Sequence, residues 1–179
     1  LYPITPPPLV FTDEELLSIL DVAETPLFNH LKFLILTGFR SGESCNLQWS
    51  QVDIAGGKID TFNEKEKRWE PFPIDLELKI FLQSLPRDGE HVLRYRDPSK
   101  LDKDLKTIIR RLDINDDLSI HSIRKTFGSR LVRAGVDFAI THKLMRHRSP
   151  ATTLKYYIWF GIDTLRKGLE KSRSESSKS

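Results

Sequence analysis

The stretch VDIAGGKIDTFNEKEKRWEPFPI, Val52–Ile74, decides the fold class. A turn at Gly56–Gly57 separates two β-compatible runs, Val52–Ile54 and Lys58–Phe62. A charged tip, NEKEKR, then leads into a third run, Trp69–Ile74. The pattern predicts a small three-stranded antiparallel sheet. Pro71 and Pro73 lack the N–H that a ladder needs, so the last strand belongs at an edge.

On both sides of this sheet the chain reads as helix. In FTDEELLSILDVA, Thr12 and Glu15 form a capping box ahead of an apolar run. PLFNHLKFLILTG follows as a buried helix stopped by Gly38. SGESCNLQW opens a short helix with Ser41 as its expected cap. Beyond the sheet, Asp75 caps DLELKIFLQSL and Ser99 caps SKLDKDLKTIIRRL. From Ser119 one helix runs to Ala134 and closes at Gly135, and another runs from Asp137 to about His147. A short helix is expected near Thr152–Tyr157 and a last one near Asp163–Lys171. No internal repeat interrupts this order. The fold class is therefore α+β, mainly α, with one small three-stranded antiparallel sheet.

The chain has 179 residues, 39% hydrophobic and 30% charged, the balance of a soluble globular protein with a sizeable core. No apolar run approaches the ~18 residues of a membrane span. The opening LYPITPPPLV lacks the features of a signal peptide. Cys45 is the single cysteine, which excludes an internal disulfide and a CxxC metal site and fits a reducing intracellular compartment. The net charge of +3 hides an asymmetry. Ile120–Ser179 holds 13 Lys+Arg against 4 Asp+Glu, and the first 119 residues hold 15 against 21. A basic C-terminal third points either to a polyanionic partner or to a solvated helix surface.

Three segments carry candidate chemistry. In IHSIRKTFGSRLVRAGVD, His121 and Arg124 share a helix face beside the apolar stripe Ile120, Ile123, Phe127, Leu131 and Val132. A helix start with an arginine fork suits an oxyanion or a phosphate, although H-x-x-R alone is more often a surface or capping pair. In TGFRSGE, Arg40 follows the glycine that ends a buried helix and needs an anionic partner. Glu43, three residues on, could supply a plain ion pair. In RHRSPATTLKYYIWF, two tyrosines follow His147, and buried aromatic packing is the default reading of both. His142 and His147 lack a third ligand, so a metal site is not expected. His30 and His91 read as surface or cap residues, Trp49, Trp69 and Trp159 as core, and Cys45 as a small hydrophobe in a helix.

Taken together, TGFRSGE, a lysine-bearing hairpin, HSIRKTF and LMRHRSPATTLKYY resemble the tyrosine recombinase (phage-integrase-type) family in order and spacing, over nearly the whole chain. The resemblance implies a catalytic set of Arg40, Lys65, His121, Arg124, His147 and Tyr156. Arg40 and Arg124 would clamp the non-bridging oxygens of a scissile phosphate, where a planar, permanently charged fork is wanted. Glu43 would orient that cluster. His121 matches the general acid/base and His147 a phosphate hydrogen-bond donor. The pattern T-T-x-x-Y, mapped onto Thr152–Tyr156, makes Tyr156 the nucleophile and Tyr157 its variable neighbour. The family lysine, which protonates the leaving 5′ oxygen, lies in the turn between the second and third strands. Lys65 fits it better than Lys67, and a solvated turn charge is the plain alternative for either.

Lys125, Arg146, Arg148 and Lys155 are further candidates for DNA contact. Two positions depart from the family pattern: Arg146 stands where glycine is common, and Lys125 where many relatives have histidine.

The family implies site-specific recombination of double-stranded DNA through a 3′-phosphotyrosyl intermediate, with no cofactor and no metal. It also implies a homo-tetramer on paired sites, a monomer for the isolated domain, and a cytoplasmic location, nucleoid-associated if the source is prokaryotic. PITPPP reads as a linker. Residues 1–11 would then be the linker from a missing N-terminal DNA-binding domain, 12–171 the catalytic domain and 172–179 a disordered tail. The alternatives are a DNA-binding relative without cleavage activity and a type IB topoisomerase-like nicking-closing enzyme.

Overall fold

The computed structural model describes residues 8–63, 67–147, 149–159 and 169–170. Among them the order is α1 (Asp13–Val22), α2 (Leu27–Thr37), α3 (Ser41–Asn46), a 3-10 turn (Trp49–Gln51), β1 (Val52–Asp53), β2 (Lys58–Asn63), β3 (Arg68–Pro73), α4 (Leu76–Ser84), α5 (Pro98–Arg111), α6 (Ile120–Arg133), α7 (Phe138–Met145) and α8 (Pro150–Trp159). This is the expected α+β, mainly helical fold. The chain divides into two compact units, Leu9–Phe127 and the part from Gly128 onward. The tail, Lys65, Arg148 and most of the expected linker and last helix lie outside the described residues.

In Leu9–Phe127 the sheet has the order β1-β2-β3, antiparallel throughout, with β3 at an edge as its prolines require. Register sets its two faces. Ile59, Thr61 and Phe72 are buried, whereas Phe62 and Trp69, opposite each other on β2 and β3, are exposed and meet edge to face at 5.3 Å. Trp69 is therefore a surface residue and not the core residue expected. The two-residue alternation of the strand puts it opposite Phe72 in direction. Phe72 joins Phe39 and Phe33 in a chain of edge-to-face contacts at 5.1 and 5.2 Å. Around these, Phe11, Ile19, Leu31, Leu34, Leu82, Leu101, Leu105 and Ile109 are buried. Each contributes roughly 1.5–3 kcal/mol by leaving water. Phe11, the last residue of the expected linker, is a core residue, and its N–H donates to Thr126 Oγ1 at 2.9 Å.

Caps explain the helix starts. Thr12 Oγ1 accepts from Glu15 N–H while Glu15 Oε2 accepts from Thr12 N–H, the reciprocal box expected. Asp75 caps α4 through Leu78 N–H. Two caps differ from expectation. Arg40, not Ser41, is the N-cap of α3, because Glu43 reaches back to the Arg40 N–H and makes Ser41 the first helical residue. Asp97, not Ser99, caps α5, because Pro98 is already helical and Asp97 accepts from Ser99 N–H. His30, expected at the surface, is fully buried, and its Nε2 lies 2.8 Å from Ser44 Oγ. Ser44 donates to the Ser41 carbonyl, so the His30 Nε2–H must be the donor to Ser44.

From Gly128 onward α7 packs against α8 around a small core that includes Val132, Met145, Thr153 and Tyr156. Asp137 caps α7 through Ala139 N–H. Arg146 closes it in the left-handed conformation at φ 48°. α8 begins at Pro150 and runs longer than the Thr152–Tyr157 helix expected.

Candidate active site

The expected site residues fall in two clusters, one in each unit. The first starts at the end of α2. Gly38 adopts φ 60°, which only glycine reaches without strain, and its N–H donates to Leu34 O at 2.8 Å. That turn aims the Gly38 carbonyl at Arg124, whose Nη1 donates to it at 2.6 Å. Arg124 is 3% exposed, so its charge is fixed in a desolvated position by a backbone acceptor. A side chain at Gly38 would also collide with Phe127, whose Cδ1 would lie 2.3 Å from an added Cβ. The glycine is thus required twice.

Arg40 follows two residues later and is exposed. Glu43 holds it at two points: Oε2 accepts the Arg40 backbone N–H at 3.0 Å, and Oε1 accepts Nη1 at 2.5 Å. At the start of α6, the Ile120 N–H donates to Asp102 Oδ1 at 2.7 Å. That amide is therefore already occupied. His121 stands in the first turn, and Arg124 follows on the same face. The His121 pKa is lowered, first by partial loss of water around the ring and then by the charges of Lys125, Arg124 and Arg40. The imidazole is neutral at pH 7 in this state. Four expected residues, Arg40, His121, Arg124 and Lys125, thus act on one another, with Glu43 as counter-charge.

The second cluster follows α7. The left-handed turn at Arg146 leads into His147, and its positive φ is a conformation that suits glycine, the residue the family pattern leads one to expect there. Arg146 Nη1 donates to the Leu144 carbonyl at 3.0 Å. His147 stacks on Tyr156 with ring centres 5.9 Å apart and planes 22° apart. Tyr156 is 8% exposed, and a Cβ added at Gly128 would come within 3.1 Å of its Cε1. Tyr157 points elsewhere. Its hydroxyl donates to Val136 O at 2.5 Å and lies 2.9 Å from Thr141 Oγ1, tying α8 to α7.

Lys155 is exposed on α8. Lys65 and Arg148 lie outside the described residues, and Lys67, the alternative hairpin lysine, is exposed at φ 50°. Two roles escaped the sequence reading. Thr153, seen only as part of T-T-x-x-Y, is fully buried, and His142, read as bland, contacts its hydroxyl. No local spacing signals a contact between residues 11 apart on different helices. Among the described residues no group of His, Cys, Asp and Glu is gathered to hold a metal ion, and no helix is long and apolar enough to cross a membrane.

Comparison with known proteins places this geometry in context. The family described as phage integrase matches residues 10–159. A tyrosine recombinase XerA of Thermococcus kodakarensis is 29% identical over 93% of this chain. The chain spans 63% of that relative's length. Two solved structures share the fold. The catalytic domain of bacteriophage HP1 integrase superposes with a TM-score of 0.70 at 22% identity, covering 90% of this chain and 93% of that one. The Tn1549 transposon integrase in complex with transposon right end DNA gives 0.76 at 17% identity, covering 96% of this chain and 68% of that one.

Proposed function

This chain belongs to the phage integrase family, and we propose that it cleaves and rejoins double-stranded DNA at specific sites, as the catalytic part of a tyrosine recombinase. Tyr156 Oη attacks a backbone phosphorus and forms a 3′-phosphotyrosyl bond. The bond from phosphorus to the 5′ oxygen breaks, and that oxygen leaves as a hydroxyl. A 5′-hydroxyl from a partner duplex then attacks the phosphotyrosine, the phosphodiester reforms and Tyr156 is released. The exchange conserves bond energy, so neither ATP nor a metal enters it. One difficult displacement becomes two easier ones.

Each role follows from its chemistry. Arg124 and Arg40 bind the non-bridging oxygens and stabilise charge on the pentacoordinate transition state. Neutral His121 takes the proton from the attacking hydroxyl and returns it in the reverse step. His147 donates to the phosphate. Lys65 protonates the leaving oxygen. Lys125, Arg146, Arg148 and Lys155 contact the backbone of the duplex, so binding weakens with salt. The active assembly is a tetramer on two sites, and the chain alone is a monomer, readable by light scattering with and without DNA.

The observation that carries this reading is the buried Arg124, anchored on Gly38 O beside Arg40, Lys125 and a pKa-lowered His121. A buried arginine fork grouped with further cationic side chains is suited to binding an anionic group such as a phosphate. Tyr157 is tied to α7 through its hydroxyl, which fits its reading as the structural neighbour of the nucleophile. The solved DNA complex of the transposon integrase supports the choice of partner.

Covalent trapping on nicked suicide duplexes tests it. The expected adduct maps to Tyr156 and disappears in Tyr156→Phe but not in Tyr157→Phe. An adduct on Tyr157 overturns the assignment of the nucleophile. Tight duplex binding with no adduct favours a relative that binds without cutting. Relaxation of supercoils without a partner duplex favours a nicking-closing enzyme.

A further inference from the structure

Thr153 lies between two imidazoles. Its Oγ1 is 3.0 Å from His142 Nδ1 and 2.8 Å from His147 Nδ1, and the residue is fully buried. A hydroxyl has one proton to give and lone pairs to accept with. Burial removes water as a partner, and an unmet polar group in that position is destabilising. The Thr153 proton therefore goes to one of the two rings, and the other ring turns an N–H toward the oxygen. Two Nδ1–H groups would strand the hydroxyl proton. Two bare Nδ1 atoms would leave one nitrogen facing a lone pair. The two histidines must hold opposite protonation at Nδ1.

Each ring is also clamped on a face. His147 stacks on Tyr156, and His142 stacks on Phe138 with centres 6.1 Å apart and planes 3° apart. Neither ring can turn to another partner without losing both its face and its edge contact.

We propose that His142 and Thr153 are positioning residues that fix the tautomer of His147. His142 Nδ1–H donates to Thr153 Oγ1, the Thr153 hydroxyl donates to His147 Nδ1, and the proton of neutral His147 stands on Nε2. There it donates to a phosphate oxygen. The direction of this relay rests on the reading of His147 as a phosphate donor, because the opposite direction would present a bare Nε2 to an anion. Which ring nitrogen carries the proton is set by the bond made at the other.

The test reads protons directly. Two-bond proton–nitrogen NMR spectra of the histidine-labelled chain, well above the ordinary histidine range, report the tautomer of each ring. The expected result is Nε2–H for His147 and Nδ1–H for His142. Thr153→Val keeps the shape and removes the hydroxyl, so His147 should shift to a mixture of tautomers. Thr153→Ser should keep the parent state. Suicide-duplex cleavage should fall about ten- to hundredfold in Thr153→Val, the range seen when a histidine's orienting partner is removed. It should survive in Thr153→Ser. An Nδ1–H His147 in the parent chain overturns the proposal, as does an unchanged His147 tautomer in a Thr153→Val chain that melts like the parent. If the tautomers are as expected but no adduct forms, the relay stands and the cleavage reading fails.

Discussion

Arg124 and Tyr156 are both buried, one 3% and the other 8% exposed, in surroundings of different kinds. Arg124 is pinned by a charged hydrogen bond to a backbone carbonyl 86 residues away in sequence, inside a unit with a broad apolar core. Tyr156 stacks on the face of His147 and packs so close to Gly128 that an added Cβ there would come within 3.1 Å of its ring. A phosphate clamp, the role proposed for Arg124, has to keep its charge in place before substrate arrives, and desolvated hydrogen bonds do that. A nucleophile, the role proposed for Tyr156, has to be aimed, and close ring contacts make its position sensitive to added volume. The first region should respond to lost polar partners, the second to small changes of volume.

The sharpest way to break this contrast is Arg124→Ala. It removes the clamp and strands the Gly38 carbonyl, so adduct formation should fall by about 10²–10³. Arg124→Lys should recover only part of it, since an ammonium lacks the fork. If alanine leaves cleavage intact, the clamp is elsewhere. Next comes Gly38→Ala. Left-handed backbone costs an alanine about 1–2 kcal/mol, and the collision with Phe127 adds about 1–3 kcal/mol. Denaturant unfolding should show a loss of that combined order, with weaker duplex binding.

Acid tests the same unit. Burial first, and then the Arg96 charge, lower the His30 pKa to about 3 from an ordinary 6.5. The unfolded chain binds a proton across that window and the folded chain does not. Stability from neutral His30 is therefore complete above about 6.5 and is lost as pH falls toward 3. The total is on the order of a few kcal/mol, at about 1.4 per unit. Unfolding at pH 7 and pH 4 should differ accordingly, and equal stability would remove His30 from the account.

Two smaller effects probe the unit from Gly128 onward. Gly128→Ala adds a methyl within 3.1 Å of the Tyr156 ring and 2.9 Å of the Met145 Cε, while gaining about 0.8–1 kcal/mol of helix propensity. Flexible Met145 can yield, so the melting temperature should barely move, whereas cleavage should drop roughly tenfold as Tyr156 shifts. A large drop in stability with normal cleavage would reverse the contrast. Arg146→Gly relieves a left-handed arginine but loses its bond to Leu144 O, and should change stability by less than about 1 kcal/mol.

What the sequence disclosed tracks the range of each interaction. The Thr12–Glu15 box, the Asp75 cap, the Gly38 stop and the Gly-Gly meander are local patterns of a few residues, and all are present. The caps at Arg40 and Asp97 each fell one or two residues earlier than read. A carboxylate at Glu43 and a proline at Pro98 outcompeted the nearby serines for the helix start. Burial of His30 depends on Ser44, 14 residues away, and the hydroxyl shared by His142 and His147 on packing of α7 against α8. The spacing of such residues does not announce their contact. Residue types at the candidate site were legible because the resemblance supplied their order, but what anchors them was not.

Glu43 carries one further consequence. Its two oxygens serve different tasks: Oε2 holds the backbone where α3 begins, and Oε1 holds the Arg40 guanidinium. The second bond can let go while the first stays, because they use separate atoms. In the proposed function, an arriving phosphate would draw the arm of Arg40 from Oε1 while the bond at Oε2 still marks the start of α3, so that the carboxylate would serve as a latch whose hinge pin stays fixed when the bolt slides.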